Sequence, residues 1–573
     1  MTEHAAASKN TVPQDARTGA QLLVEALAAH GVDTVFGIPG THNLDLFAAL
    51  AASGIRTVNP RHEQGAGFAA DGYARLSGRP GVCITTTGPG ILNAVTAVAQ
   101  AYSDSIPLLT ISPGLPLAHP SGGNGYLHEV KDQLGALEAV AGAAWRIESL
   151  ADIPAAVTRA FALLTGGRPR PVHLEIPLDL LPAALPADGP RLPAPVPVLG
   201  APLPPDERAI ASAAALLQGA ARPVIIAGGG ASHAAAQVLE LARLLAAPVL
   251  TTANGKGIVP TDDPLFTGAG IHEPALLEYL ARPGAVLVAI GTELAPADMW
   301  AGPVPPDTPV IRIDVDPHGL GANATATVPV LADAAVGTTA LTAALRTAGA
   351  EDGADVGAEA AAGSAPAQPT VQQTTPVESV GLPESAGRLR EAIRAQALRT
   401  AGEHLPVLEA IDRATAGRAV LAADSNQASY YGALGLLPAH RPRSLLYPSG
   451  LGTLGYGLPA GIGAKLAEPE APVVVLEGDG GIMFTVSELA CAAHLGLALP
   501  IVVVDNGGYG EIRDEMVARH DPVQAVDLPG VDFVALARAM GCAGEAPEDA
   551  AALREGLQRA LAADRPTVLH VRW

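Results

Sequence analysis

The chain has 573 residues, of which 57 are acidic and 35 basic, for a formal net charge of −22. That length suggests three or four domains, and the acidic balance argues against a nucleic-acid partner, because phosphate binding needs a basic surface. Three widely spaced cysteines, Cys83, Cys491 and Cys542, form neither a metal nor a disulfide framework, which suits a reducing cytoplasm.

The opening residues 1–18 are polar and lack the apolar core of a signal peptide. Residues 18–185 read as a first α/β block. Leu22, Leu23, Ala26 and Leu27 carry helical spacing over residues 18–30. Short apolar runs at 35–38, 82–86, 108–111 and 172–176 predict buried strands. The first ends in Pro39-Gly40-Thr41-His42-Asn43 and the second in Gly88-Pro89-Gly90, with a helix beyond. Residues 182–205 are proline-rich and predict a linker.

A second block spans 206–347, with strands at 224–227, 286–290 and 310–315. Gly228-Gly229-Gly230 resembles a nucleotide-fold turn, but no clear acidic ribose-binding residue follows about 20 positions on. Residues 348–387, rich in Ala, Gly, Pro, Thr and Glu, predict a disordered linker, since such a composition buries too little apolar surface to offset ordering entropy.

The third block, 388–573, begins with a strand at 419–422 that leads into Asp424-Ser425-Asn426-Gln427. The run 473–476 precedes Gly478-Asp479-Gly480, and the run 501–504 precedes Asp505-Asn506-Gly507-Gly508-Tyr509-Gly510. A carboxylate and an amide oxygen thus stand just past the carboxyl ends of two strands, where open α/β sheets bind ligands. A hard divalent cation such as Mg²⁺ takes oxygen ligands and shares them with a phosphate; glycines such as Gly480 and Gly481 let a diphosphate approach the backbone. Gly-Asp-Gly by itself also describes a capped turn. The long apolar stretch 489–504 contains His494 and Pro500 and reads as helix then strand, not as a membrane span.

With the 27-residue spacing from Asp479 to Asn506, these motifs resemble thiamine-diphosphate-dependent enzymes of the acetolactate synthase and 2-oxo acid decarboxylase superfamily. The resemblance implies that Asp479, Asn506 and the carbonyl of Gly508 hold Mg²⁺. Asp505 departs from the family's Asn-Asn pair and adds a negative charge. Two further segments agree with the family. Arg61-His62-Glu63-Gln64-Gly65 resembles its pyrimidine-binding segment, with Glu63 as partner of the ring nitrogen N1′. Ser449-Gly450-Leu451-Gly452-Thr453-Leu454-Gly455 resembles its cofactor-bending loop, with Leu454 beneath the cofactor and the carbonyl of Gly452 on the 4′-amino group. Gln427 is the expected contact of the 424–427 loop with the diphosphate, although that loop also suits a helix cap.

The fold implied is α/β, with three doubly wound parallel-sheet domains: pyrimidine-binding, Rossmann-like middle, and diphosphate-binding. The middle domain binds FAD in acetolactate synthases; here it is expected to be structural, so FAD is not favoured. The family also implies a homodimer or homotetramer with active sites at the subunit interface and a small 2-oxo acid as substrate. Release of an aldehyde and carboligation to a second carbonyl compound both stay open, as does a non-catalytic binder, against which intact Glu63, Asp479 and Asn506 argue.

Gly125-Tyr126-Leu127-His128-Glu129-Val130-Lys131-Asp132-Gln133, Gly291-Thr292-Glu293-Leu294 and Tyr509-Gly510-Glu511-Ile512-Arg513-Asp514-Glu515-Met516 look most like 5-guanidino-2-oxopentanoate decarboxylases. Glu511 and Glu515 fall on one helix face and could receive a guanidinium tail, though both also suit the first turns of a solvated helix. His42 and His128 are candidates for proton transfer or for handling the substrate carboxylate.

Overall fold

The computed structural model describes residues 17–118, 123–186, 189, 204–355 and 383–572. Three six-stranded sheets follow one another along the chain. The first comprises β1 (Thr34–Gly37), β2 (Arg56–Val58), β3 (Gly81–Ile84), β4 (Leu108–Gly114), β5 (Ala143–Arg146) and β6 (Val172–Pro177), in the order β2-β1-β3-β4-β6-β5. Its pairings are parallel, with Phe36 opposite Cys83 and Ile111 opposite Leu174. Helices on both faces explain why β1, β3, β4 and β6 are buried along their whole length and read as unbroken apolar runs.

The middle sheet comprises β7 (Arg222–Ala227), β8 (Val249–Thr251), β9 (Phe266–Ala269), β10 (Ala285–Ile290), β11 (Val310–Asp314) and β12 (Val328–Leu331), ordered β12-β11-β10-β7-β8-β9. The third comprises β13 (Val420–Ala423), β14 (Leu445–Leu446), β15 (Val473–Gly478), β16 (Pro500–Val504), β17 (Ala543–Glu545) and β18 (Thr567–Val571), ordered β14-β13-β15-β16-β18-β17. The order reverses inside each sheet between β1 and β3, β7 and β10, and β13 and β15, and the first and third sheets turn back again at the edge, at β6-β5 and β18-β17. Such switch points open a crevice at the strands' carboxyl ends.

The chain forms two compact units. One joins the first and third sheets. Its helices Glu63–Ser77 and Gly457–Ala467 touch backbone to backbone, since a Cβ at Gly72 or Gly463 would run into the carbonyl of Ala460 or Ala69. The other unit contains residues 201–420 and 427–445, which differs from the expected boundary at 388. Helix Glu384–Ala401 puts Leu389 and Ile393 into the core of the middle sheet beside Val224, Leu250 and Leu287. Gly268 on β9 leaves the room that Ile393 fills. Helix Ala334–Asp355 likewise runs through the first part of the expected 348–387 linker; residues 356–382 lie outside the described residues, as do 187–203 of the proline-rich stretch apart from Gly189.

In the second unit, buried Lys256 donates to the carbonyls of Ala433 (2.8 Å) and Leu434 (2.6 Å), at the end of the π-helical turn Ala428–Ala433. Burial lowers its pKa from 10.5 to about 7. The unfolded chain therefore holds more protons across that window, and stability rises with pH there. The melting midpoint of Lys256→Met is expected to rise less than that of the wild type between pH 7 and 10, and equal rises would show that Lys256 does not titrate.

Candidate active site

Glu63 opens helix Glu63–Ser77, one residue after the N-cap His62, whose side chain accepts from the Gln64 amide. The Asn93 amide donates to Glu63 Oε2 at 3.0 Å. A Cβ at Gly90 would lie 3.3 Å from Glu63 Oε1 and would also meet Thr86. Gly88, at φ +64°, allows the backbone of His128 to approach closely, and His128 itself adopts φ +64°. The His128 and His42 rings stand 4.7 Å apart at 59°. The turn after β3 therefore gathers all three expected catalytic residues, Glu63, His42 and His128. Among the described residues, His128 Nδ1 and Thr86 Oγ1 are buried with no hydrogen-bond partner. Gln133 fixes this turn by accepting from the Gly88 amide (2.8 Å) while donating to Glu175 (2.8 Å).

The loop that carries Gly452 and Leu454 is held from two sides. Asp424 accepts from the amides of Gly455 (2.9 Å) and Tyr456 (3.1 Å). Thr453 donates to Gln100 (3.1 Å), and the Gly450 amide donates to Asp104 (2.8 Å). Asp104 pairs with Arg75, Arg75 with Asp71, and Asp71 accepts from the Tyr456 hydroxyl, each at 2.6 Å. Gly452 has φ +67°, and a Cβ there would meet nothing within 4 Å, so the loop borders open space. Burial raises the pKa values of both Asp424 and Glu477, and the neighbouring Asp424 charge raises that of Glu477 further.

Asp479 begins the short helix Asp479–Ile482 after β15, and its Oδ1 accepts from the Asn506 amide at 3.4 Å. Burial, then the neighbouring Asp505 charge, raises the Asp479 pKa. A Cβ at Gly480 would lie 2.9 Å from the Tyr509 ring and 3.4 Å from the Gly508 carbonyl oxygen, so the loops after β15 and β16 meet at that point. Gly507 and Gly508, at φ +81° and +138°, turn the chain there as only glycine does readily. One carboxylate, one amide side chain and one carbonyl, carried by these two loops, are an all-oxygen donor set, the chemistry that fits a hard divalent cation. No group of three or more His, Cys, Asp or Glu among the described residues is arranged to hold a metal.

The charge of Asp505 is met locally. It accepts from Arg572 Nε (2.7 Å), the Gly507 amide (3.0 Å) and His570 (2.8 Å), and its pKa is lowered, chiefly through His570 and Arg572, against the opposing effect of burial. Arg513 binds the same loop, donating to the carbonyls of Asn506 (3.4 Å) and Gly507 (3.2 Å) and pairing with Asp527 (2.7 Å). Helix Gly510–Ala518 starts beside this loop and carries Glu511, partly buried, and Glu515, which is exposed and 3.9 Å from Arg519. Gln427 is the first residue of a segment that belongs to the other compact unit.

Family profiles match in three places: the N-terminal TPP binding domain of thiamine pyrophosphate enzymes at 17–136, their central domain at 210–343, and their C-terminal TPP binding domain at 428–571. The chain belongs to the thiamine pyrophosphate enzyme family. Among its relatives, the probable 2-ketoarginine decarboxylase AruI of Pseudomonas aeruginosa is 40% identical over 98% of this chain and 95% of that protein. The acetolactate synthase large subunit of Parasynechococcus marenigrum is 32% identical over 97% of this chain and 87% of its own length. A probable acetolactate synthase large subunit of Methanocaldococcus jannaschii is also 32% identical, over 96% and 91%. No helix among the described residues is long and apolar enough to cross a membrane.

Sequence reasoning missed Asn93, Gln133, Arg513 and the pairing of Asp505 with Arg572. Each acts through contacts between positions distant in sequence or through backbone carbonyls, so that even Gln133 and Arg513, which stand inside quoted motifs, carried no sign of these roles. The acidic replacement at Asp505 was a usable signal, because an extra charge beside a metal loop calls for a cation, and Arg572 is the penultimate residue.

Proposed function

We propose that this thiamine pyrophosphate enzyme decarboxylates a 2-oxo acid with a cationic tail, of the 5-guanidino-2-oxopentanoate type, to an aldehyde and carbon dioxide. The observation that carries the reading is the likeness to a 2-ketoarginine decarboxylase along 98% of the chain, since 2-ketoarginine is 5-guanidino-2-oxopentanoate. When bound, thiamine diphosphate supplies a nucleophilic carbon and accepts the electron pair that carbon dioxide leaves behind. Asp479, Asn506 and the Gly508 carbonyl would hold its Mg²⁺, with Gly480 and Gly481 against the diphosphate. Leu454 and the Gly452 carbonyl would line its site on the loop that Asp424 holds. Glu63 would hold and release a proton beside the cofactor's pyrimidine ring, and His42 and His128 would serve the substrate carboxylate and the proton that completes the aldehyde.

Glu511 and Glu515 receive the tail, with Glu511 better placed because it is partly buried beside the metal loop. The active enzyme is a cytoplasmic homodimer or homotetramer with sites completed across the subunit boundary. The middle domain is structural: a Cβ at Gly228 would lie 2.6 Å from Thr292 Cβ and one at Gly230 3.0 Å from Gly291 Cα, so the turn after β7 is packed against the turn after β10, which supports a domain that binds no FAD.

A screen of 2-oxo acids for carbon dioxide release, with guanidinium, ammonium and neutral tails of equal length, tests the reading. A charged hydrogen bond contributes about 1.5–3 kcal/mol, so the cationic acid should lead by roughly ten- to over a hundredfold in kcat/KM. Glu511→Gln should lower that figure for the cationic acid and much less for the neutral one. Faster turnover of pyruvate, with an acyloin as product, would replace the proposal by acetolactate-type carboligation.

A further inference from the structure

Glu488 lies in the third-sheet half of its unit, at the start of helix Glu488–His494, and has no exposed surface. Its carboxylate is met by main-chain amides. Both oxygens accept from the Arg61 amide at 3.0 Å, and Oε1 also accepts from the His62 amide at 3.0 Å. These two residues immediately precede Glu63. Gly65, two positions beyond Glu63, leaves the space that the carboxylate occupies; a Cβ there would lie 2.8 Å from Glu488 Cδ and closer still to Oε1. A fully buried carboxylate facing two main-chain amides and a missing side chain is a costly arrangement unless those amides need to be held.

We infer that Glu488 is a positioning residue for Glu63: by fixing the Arg61 and His62 amides it sets where the first turn of helix Glu63–Ser77 presents the Glu63 carboxylate to the cofactor's pyrimidine ring. The inference rests on Glu63 being the N1′ partner. Gly65 is the other half of the device, because any side chain at 65 expels the carboxylate. Asn93 holds the Glu63 carboxylate at its tip, and Glu488 holds its backbone. The groups around Glu488 are Arg61, His62, Glu63 and Cys491; burial raises its pKa to about 7, so the hold is strongest in the ionised form above that pH.

The test compares Glu488→Ala, Glu488→Gln, Gly65→Ala and the double variant Glu488→Ala/Gly65→Ala. In cofactor-free protein, amide hydrogen exchange at Arg61 and His62 should quicken in Glu488→Ala and in Gly65→Ala. With thiamine diphosphate and Mg²⁺, deuterium exchange at the thiazolium C2 of bound cofactor should slow by about ten- to a hundredfold, the loss expected for a catalytic group misplaced by around an ångström. The double variant should be no slower than the worse single one, since both changes break one contact. Glu488→Gln keeps an oxygen acceptor and should recover much of the C2 rate, without the wild type's loss of rate below pH 7. Unchanged C2 exchange in Glu488→Ala, or additive losses in the double variant, would overturn the inference. If Glu63→Gln itself left C2 exchange intact, the reading of Glu63 would fail first, and the two failures are told apart by that control.

Discussion

Glu63→Gln is expected to abolish nearly all turnover while leaving the protein folded. The Asn93 amide donates to Glu63 Oε2, and a glutamine oxygen accepts the same bond. The residue is partly buried at a helix start, so stability should change by no more than about 0.5 kcal/mol. What glutamine lacks is a group that gains and loses a proton at N1′. Removing a positioned acid–base group lowers rates by about a hundred- to ten-thousandfold. The measurement is deuterium exchange at C2 of the bound cofactor, beside kcat and a thermal midpoint. Near-wild-type exchange in a folded, cofactor-loaded variant would remove Glu63 from the chemistry and return it to the role of a helix-terminal carboxylate.

The strands that bear the site were legible because they are short, apolar and buried on both faces. The runs at 35–38, 82–86, 473–476 and 501–504 correspond to β1, β3, β15 and β16, with ends moved by one or two residues. Strands such as β5 (Ala-Ala-Trp-Arg) and β17 (Ala-Gly-Glu) carry no such signal; neighbouring strands fix them, not their own composition. The same limit explains helix Glu384–Ala401. A low-complexity stretch precedes it, and its apolar face gives no hint that Ile393 belongs over Gly268 of the middle sheet.

At the site, the residues that sequence could propose, Asp479, Asn506, Gly508, Leu454 and Glu63, stand inside dense local motifs. Those that hold the motifs in place could not be so proposed. Glu488 reaches the Glu63 turn across more than 400 residues of chain, with |i−j| of 427 to Arg61, and Asp424 holds the Leu454 loop through main-chain amides. A single sequence records which groups can do chemistry, whereas the contacts that aim them are made by the fold.

Asp479→Ala should lose Mg²⁺-dependent binding of thiamine diphosphate while the cofactor-free protein stays at least as stable as the wild type. In the cofactor-free protein the carboxylate is a cost: burial and the Asp505 charge disfavour its ionised form and outweigh the main-chain amides that face it, that of Asn506 among them. Removing it relieves that cost. With a divalent cation in place the sign reverses, because the ion becomes the largest local charge and the carboxylate its principal counter-charge. Substitutions one shell further out in metal sites already cost about 10–100-fold in affinity, so loss of the carboxylate itself should cost at least that. Calorimetric titration of thiamine diphosphate with and without Mg²⁺ reads the affinity, and the rise in melting midpoint on adding both reads the same loss by mass action. Asp479→Asn, which keeps an oxygen but no charge, should fall between. Unchanged affinity in Asp479→Ala, with the midpoint still raised by cofactor and Mg²⁺ together, would mean that the metal is held elsewhere and that Asp479 only caps the turn after β15.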